Sequence, residues 1–406
     1  MSDWKEVQLK DVSFYSDDRI SVDQITVYNY LSTENMLPDR GGVTLASSLP
    51  SSKTVSKYNC EDILISNIRP YFKKIWFADK VGGCSNDVLV IKNKDTNQVD
   101  SKFLYYNLFT DKFFDYVMSG AKGAKMPRGD KDEIMKYSLI IPPLKTQQKI
   151  VKILSNIDNK IQVNLKMNKI LEEMGMTLYK HWFVDFEPFQ DEEFSESELG
   201  LIPKDWSVSS VGNAIEIIGG GTPKTSISEY WENGIINWFS PTDLTSQKSM
   251  FITNSAKKIT QLGLEKSSAK LFPPYSIMMT SRATIGEISI NREPSSTNQG
   301  FITLIPNENF NLYQLYFWLK TNMEKIMSIS NGSTFKEVSK TNFKMLQILK
   351  AVRIEEYTKK CENIFKQIEC NLCEIEGLTR LRGYLLPRLL SGEIDLLEIE
   401  KQVEEV

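Results

Sequence analysis

Leu104-Tyr105-Tyr106-Asn107-Leu108-Phe109-Thr110 and Leu315-Tyr316-Phe317-Trp318-Leu319-Lys320-Thr321 are two versions of one text, and the sequence around each also corresponds. Upstream, the buried-strand pattern Ile63-Leu64-Ile65-Ser66 recurs as Ile277-Met278-Met279-Thr280, and each leads to a basic turn (Arg69, Arg282). Next come Ser85-Asn86-Asp87-Val88 and Thr297-Asn298-Gln299-Gly300-Phe301, both opening another apolar strand. Each half closes in a long segment of helical period. A unit of about 205 residues used twice is too large for a solenoid repeat, whose periods run to about 50. It means two copies of a whole domain plus helix, with two similar targets.

At 406 residues the chain exceeds what one core usually serves, which agrees with two domains. Its 41% hydrophobic and 25% charged residues are those of an ordinary globular protein. No apolar run approaches the roughly 18 residues of a membrane span, and Met1-Ser2-Asp3-Trp4-Lys5 holds no signal-peptide core, so a cytoplasmic protein is expected. Five cysteines, an odd number, argue against a disulfide framework. Cys370-x-x-Cys373 has no second pair and His181 is the only histidine, so no metal site is expected.

The net charge of -3 is unevenly spread. Residues 185–198 carry seven acids and no base, whereas residues 1–141 balance 19 cations against 19 anions and residues 200–347 hold 14 against 11. Neither half is a generic polycation. Any nucleic-acid binding must come from local basic loops, with base contacts supplying much of the discrimination.

Pro142-Pro143 ends the first globular stretch, and from Thr146 the period changes. A heptad seam runs through Ile150, Leu154, Ile157, Ile161, Asn164, Asn168, Leu171, Gly175 and Leu178. Shifted by 207 residues it reads Tyr357, Cys361, Ile364, Ile368, Asn371, Ile375, Leu378, Arg382 and Leu385. Asn164 and Asn371 share one seam position, where a buried amide restricts register. Two such helices in one chain most economically pair with each other, antiparallel. At about 1.5 Å per residue they would act as a ruler between two footprints.

Several motifs together resemble the specificity (S) subunit of type I restriction-modification systems over essentially the full length. The strongest are Gly219-Gly220-Gly221-Thr222-Pro223-Lys224-Thr225-Ser226, Tyr230-Trp231, Ile236-Asn237-Trp238 with Asp243-Leu244, and Ser296-Thr297-Asn298-Gln299-Gly300-Phe301. Thr33-Glu34-Asn35-Met36 and Ser66-Asn67-Ile68-Arg69-Pro70-Tyr71 resemble a second variant of the same pattern. Trp182-Phe183-Val184-Asp185-Phe186 and Leu389-Leu390-Ser391-Gly392-Glu393-Ile394 resemble the ends of the family's helical regions, although Ala351-Val352-Arg353-Ile354 lacks the prolines of Pro142-Pro143.

The resemblance implies an α/β (α+β) fold with a pseudo-twofold internal repeat: two target-recognition domains separated by a pair of long antiparallel coiled-coil helices. The expected boundaries are 1–141 and 190–350 for the domains, the second opening with an acidic linker over 190–199. The helical regions are expected at 142–189 and 351–395, followed by an acidic tail at 396–406. The family is a non-catalytic adaptor that reads a split, asymmetric double-stranded DNA site. Its partners would be two DNA methyltransferase (M) subunits and restriction/translocase (R) subunits, which hold S-adenosylmethionine, ATP and Mg; the chain itself would hold no cofactor. A free-standing methyltransferase is the enzymatic rival. Its closest motif, Phe272-Pro273-Pro274-Tyr275, has Phe where the amine-accepting polar residue should stand. An orphan adaptor or repressor is the other rival.

The DNA-binding candidates fall in three groups. The first is Asn67, Arg69, Tyr71, Lys73 and Lys74, with Ser281, Arg282 and Thr284 in the other half. The second is Lys122, Lys125 and Arg128, in a loop of small residues with no apolar pattern, with Ser333, Thr334 and Lys336 as counterparts. The third is Thr222 and Lys224 beside the glycine cluster, which matches neither GxGxxG nor a P-loop. Lysine neutralises phosphate and arginine can pair with guanine. The helix faces not used in the seam, with Trp182 and Phe183, are the expected docking surface for partner subunits.

Overall fold

The computed structural model describes residues 4–123, 125–282, 284–331, 336–394 and 396. The chain forms two compact units, residues 1–161 with 376–406, and residues 162–375.

In the first unit a four-stranded sheet runs Ser13–Tyr15, Val88–Asn93, Ile63–Ser66, Ile75–Phe77. The run Ile63–Ser66 is buried throughout because both faces are covered, which is why it lacks polar alternation. Ile63, Ile65, Leu89 and Ile91 face one core with Phe103, Leu104, Tyr106 and Leu108 of the helix Ser101–Leu108. Leu64, Val88 and Val90 face a second core with Leu31, Tyr58 and Cys84. A second sheet, Arg19–Ser21, Thr54–Tyr58, Gly82–Cys84, Tyr30–Leu31, covers that side. Asp100 caps the helix by accepting from the backbone N–H of Lys102 and Phe103.

The second unit repeats the plan. Its five-stranded sheet runs Glu216–Gly219, Phe301–Ile305, Ile277–Thr280, Ile288–Asn291, Phe251–Ile252. Ile277, Met279, Ile302 and Leu304 face the core of the helix Leu312–Thr321, while Met278 and Phe301 face a smaller core with Phe239 and Phe272. Ser66 opposes Val88 in one unit as Thr280 opposes Phe301 in the other.

The two long helices span Leu144–Phe183 and Glu355–Ser391. Within the first unit, Ile150 and Leu154 share a core with Leu386, Leu389 and Leu390, and Arg382 Nη1 lies 2.6 Å from Asp158 Oδ1. Asp158 also accepts from the buried Tyr106 hydroxyl at 2.6 Å. Within the second unit, Asn164 Nδ2 donates to Glu374 Oε2 at 2.7 Å, and Asn371 Nδ2 donates to Asn168 Oδ1 at 2.8 Å. Numbers rise along one helix as they fall along the other, so the pair is antiparallel in each unit. Both seam asparagines are buried and bonded across the seam, each to its own partner rather than to each other.

The stretch after the first long helix departs from the expected linker. Phe189 is buried, and Phe194–Ser197 forms an antiparallel hairpin with Gly200–Pro203. Aromatic rings interspersed among the acids have a core to join, and that outweighs the charge of the run.

Candidate nucleic-acid interface

The first unit brings two separately identified basic segments into one site. The turn after Ile63–Ser66 and the loop 120–130 are joined through their backbones. Arg69 N–H donates to Pro127 O at 2.8 Å, and Gly129 N–H to Asn67 O at 3.2 Å. Lys122 and Arg128 exchange two bonds of 2.9 Å. Arg128 thus stands between Ile68 and Lys122 in a crossing of three segments. Arg69 and Lys73 both hold a left-handed backbone (φ 50°), which fixes the turn Pro70–Phe72 between them and leaves Tyr71 exposed.

The cations here differ in availability. Lys122 is 81% exposed and pairs with Asp130 at 2.6 Å, Lys125 is exposed, and Arg128 Nη2 sits 3.2 Å from Asp87 Oδ1. Lys73 is committed to Asp111 at 2.6 Å together with Arg40, and these two cations hold the Asp111 carboxyl below its ordinary pKa. Lys74 is turned inward: its Nζ donates to Thr33 O at 2.6 Å, and burial, with Arg69 nearby, pulls its pKa down. The Asn67 Oδ1 is buried against Gly129 with no partner among the described residues. Lys74 is therefore removed from the DNA-facing set, and Asn67 loses its carbonyl oxygen from it while its side chain stays partly exposed.

The second unit builds the same crossing. Glu337 stands between Arg282 and Asn331, as Arg128 does between Ile68 and Lys122. Arg282 Nη2 lies 2.7 Å from Glu337 Oε1, and Thr284 and Lys336 are exposed nearby in sequence. Ser281 is corrected: its N–H donates to Gly300 O, its carbonyl accepts from Val338, and its side chain is buried. Ser333 and Thr334 lie outside the described residues.

The glycine cluster packs rather than presenting a loop. A Cβ on Gly220 would lie 2.0 Å from Asn298 O, and one on Gly221 would lie 2.2 Å from Ser268 Oγ. Only glycine permits these approaches. Thr222 is exposed and donates to Gln299 Oε1 at 2.7 Å, and Lys224 is exposed.

Trp182 and Phe183 are corrected as well. They are 6% and 4% exposed, packed among Tyr179, Phe189, Trp206 and Tyr357, and present no docking surface. The other part of the expected docking surface, the helix face outside the seam, carries exposed apolar residues that the sequence reading did not name one by one. Val163, Met167, Ile170 and Met174 are 51%, 42%, 57% and 55% exposed. Each stands one residue before a seam position, so they form one stripe about 100° around the helix from it. A second heptad offset by one residue was the available signal.

The basic loop gives a direct expectation. Lys122→Ala with Lys125→Ala should weaken binding to every DNA sequence and reduce the slope of log affinity against log salt by about one to two. Anisotropy titrations on site-bearing and scrambled duplexes measure it. An unchanged slope returns both lysines to ordinary solvated surface.

Among the described residues no helix is long and apolar enough to cross a membrane. A family model for the type I restriction modification DNA specificity domain matches residues 1–173 and 203–349. The chain is 26% identical over 469 residues to the specificity subunit of the type I restriction enzyme HindI of Haemophilus influenzae, covering 97% of this chain and 100% of that one. It is 39% identical over 158 residues to the MjaIX specificity subunit of Methanocaldococcus jannaschii, covering 38% of this chain and 36% of the relative. The solved S subunit from M. genitalium shares the fold, with a TM-score of 0.55 at 16% identity over 95% of this chain and 96% of that one. With the repeated domain, the paired helices and both halves of the family pattern in place, this chain belongs to the specificity subunits of type I restriction-modification systems.

Proposed function

We propose that the chain reads a bipartite, asymmetric double-stranded DNA site, one half per globular region, and scaffolds two methyltransferase subunits and the restriction subunits that join them in the cytoplasm. The observation that carries this reading is the repeated three-segment crossing with unlike side chains: Ile68, Arg128 and Lys122 in one unit, Arg282, Glu337 and Asn331 in the other. One backbone plan with different side chains suits two related but different half-sites. The globular regions 1–141 and 190–350 do the reading, and the helical regions 142–189 and 351–395 set the spacer. S-adenosylmethionine, ATP and Mg belong to the partner subunits. The docking role expected of the non-seam helix faces with Trp182 and Phe183 falls to the exposed stripe Val163, Met167, Ile170 and Met174, since a regular apolar row on a helix suits a partner helix.

The test compares the purified chain with its complex. The chain alone should transfer no methyl group, and the complex should methylate adenine in both halves of a split site, read by sequencing a randomised library. Methyl transfer by the chain alone, or a continuous rather than split motif, overturns the reading.

A further inference from the structure

Each unit places one arginine at its crossing with a carboxylate on a single terminal nitrogen. Arg128 Nη2 is 3.2 Å from Asp87, and Arg282 Nη2 is 2.7 Å from Glu337. All four side chains are partly exposed, from 39% to 56%. Arg128 and Glu337 occupy the same backbone place, as do Ile68 and Arg282. The arginine has changed strands between the units, and an acid still accompanies it. Neither acid stood among the residues expected from sequence.

Most other arginines of the chain are locked. Arg19 gives both terminal nitrogens to Ser56, Asn86 and Thr54. Arg40 engages Nε and Nη2, and Arg353 gives both terminal nitrogens to Glu192. Arg292 engages all three nitrogens, and Arg388 engages Nε and Nη1. Arg128 and Arg282 keep Nε and Nη1 without a partner among the described residues.

A carboxylate on a surface that meets DNA repels phosphate, so its repeated presence at this crossing calls for a compensating role. One carboxylate oxygen takes one of the two Nη2 hydrogens and restrains the guanidinium plane, and the second Nη2 hydrogen with that of a neighbouring nitrogen remains as a donor fork. That fork matches guanine O6 and N7 in the major groove. We propose that Arg128 and Arg282 each read one guanine, in different half-sites, and that Asp87 and Glu337 are positioning residues holding each fork. This rests on the DNA-reading function proposed above.

The experiment uses the assembled complex with its methyltransferase subunits and sequences the products of a randomised DNA library. Arg128→Lys and Arg282→Lys keep the charge and lose the planar fork. Each should relax one G·C position in one half-site, by about 5- to 150-fold in discrimination, and leave the other half unchanged. Asp87→Asn and Glu337→Gln should relax the same positions by a smaller factor, and Glu337→Asp should restore most of the second. Arginine variants that methylate the wild-type motif with undiminished discrimination overturn the proposal while leaving the split-site function standing. Relaxation by the arginine variants but not by Asp87→Asn or Glu337→Gln removes the positioning role. A wild-type complex with no split motif removes the function itself.

Discussion

Ile170→Glu with Met174→Glu should abolish assembly with the methyltransferase subunits while leaving the chain folded. Both residues are more than half exposed, so their replacement should change stability by no more than about 0.5 kcal/mol. In a docked complex the same positions lose apolar burial and gain two carboxylates without partners. Together these cost at least about 3 kcal/mol, or roughly 150-fold in affinity. Sedimentation of the mixed subunits reads the loss, and a thermal melt of the variant chain confirms that folding is intact. Wild-type affinity in the double variant would remove the stripe from the interface. Lys169→Glu, exposed and about 130° around the same helix from this row, serves as the charge control and should assemble normally.

The second large effect concerns Gly175, in the seam of the first long helix. A Cβ there would lie 2.3 Å from Phe317 Cζ and 2.8 Å from Cε2. Phe317 has no room to yield: it is fully buried, with ring centroids 5.3 Å from Tyr316 and 5.7 Å from Phe365. Glycine within a helix costs about 1 kcal/mol relative to alanine, so its presence here reflects the ring and not the helix. Gly175→Ala should be destabilising by about 2 kcal/mol despite its better propensity. Gly175→Leu should reach about 4 kcal/mol or more, at the upper end of overpacking. Urea unfolding followed by tryptophan fluorescence measures both. Phe317→Leu in the Gly175→Ala background should recover part of the loss, a coupling that a purely local helix effect would not give. A Gly175→Leu protein as stable as the parent would mean that the seam is loosely packed.

The repeat lies in the sequence because duplicated texts such as Leu104–Thr110 and Leu315–Thr321 keep one pattern of buried positions in each copy. The runs Ile63–Ser66 and Ile277–Thr280 could be read as strands covered on both faces because they have no polar alternation. The seam, with Asn164 and Asn371 inside it, followed from period alone, since heptad spacing is a property of one helix and needs no knowledge of what lies across it. Pairing between distant segments is another matter. Nothing local indicates that Arg128 will stand beside Ile68 and Asp87, or that Glu337 will hold the equivalent place beside Arg282. Local pattern could not show that Lys74 turns inward to Thr33, or that Ser281 disappears beneath Gly300 and Val338. Trp182 and Phe183 illustrate the same limit. An aromatic run at a helix end suits a core and an interface equally well by composition, and only the rings of Phe189, Trp206 and Tyr357 packed around it decided for the core. Sequence determined the elements and their buried faces, because periodicity is local. Tertiary structure decided which loops share a surface and which charges on it remain free, because those depend on neighbours tens of residues away.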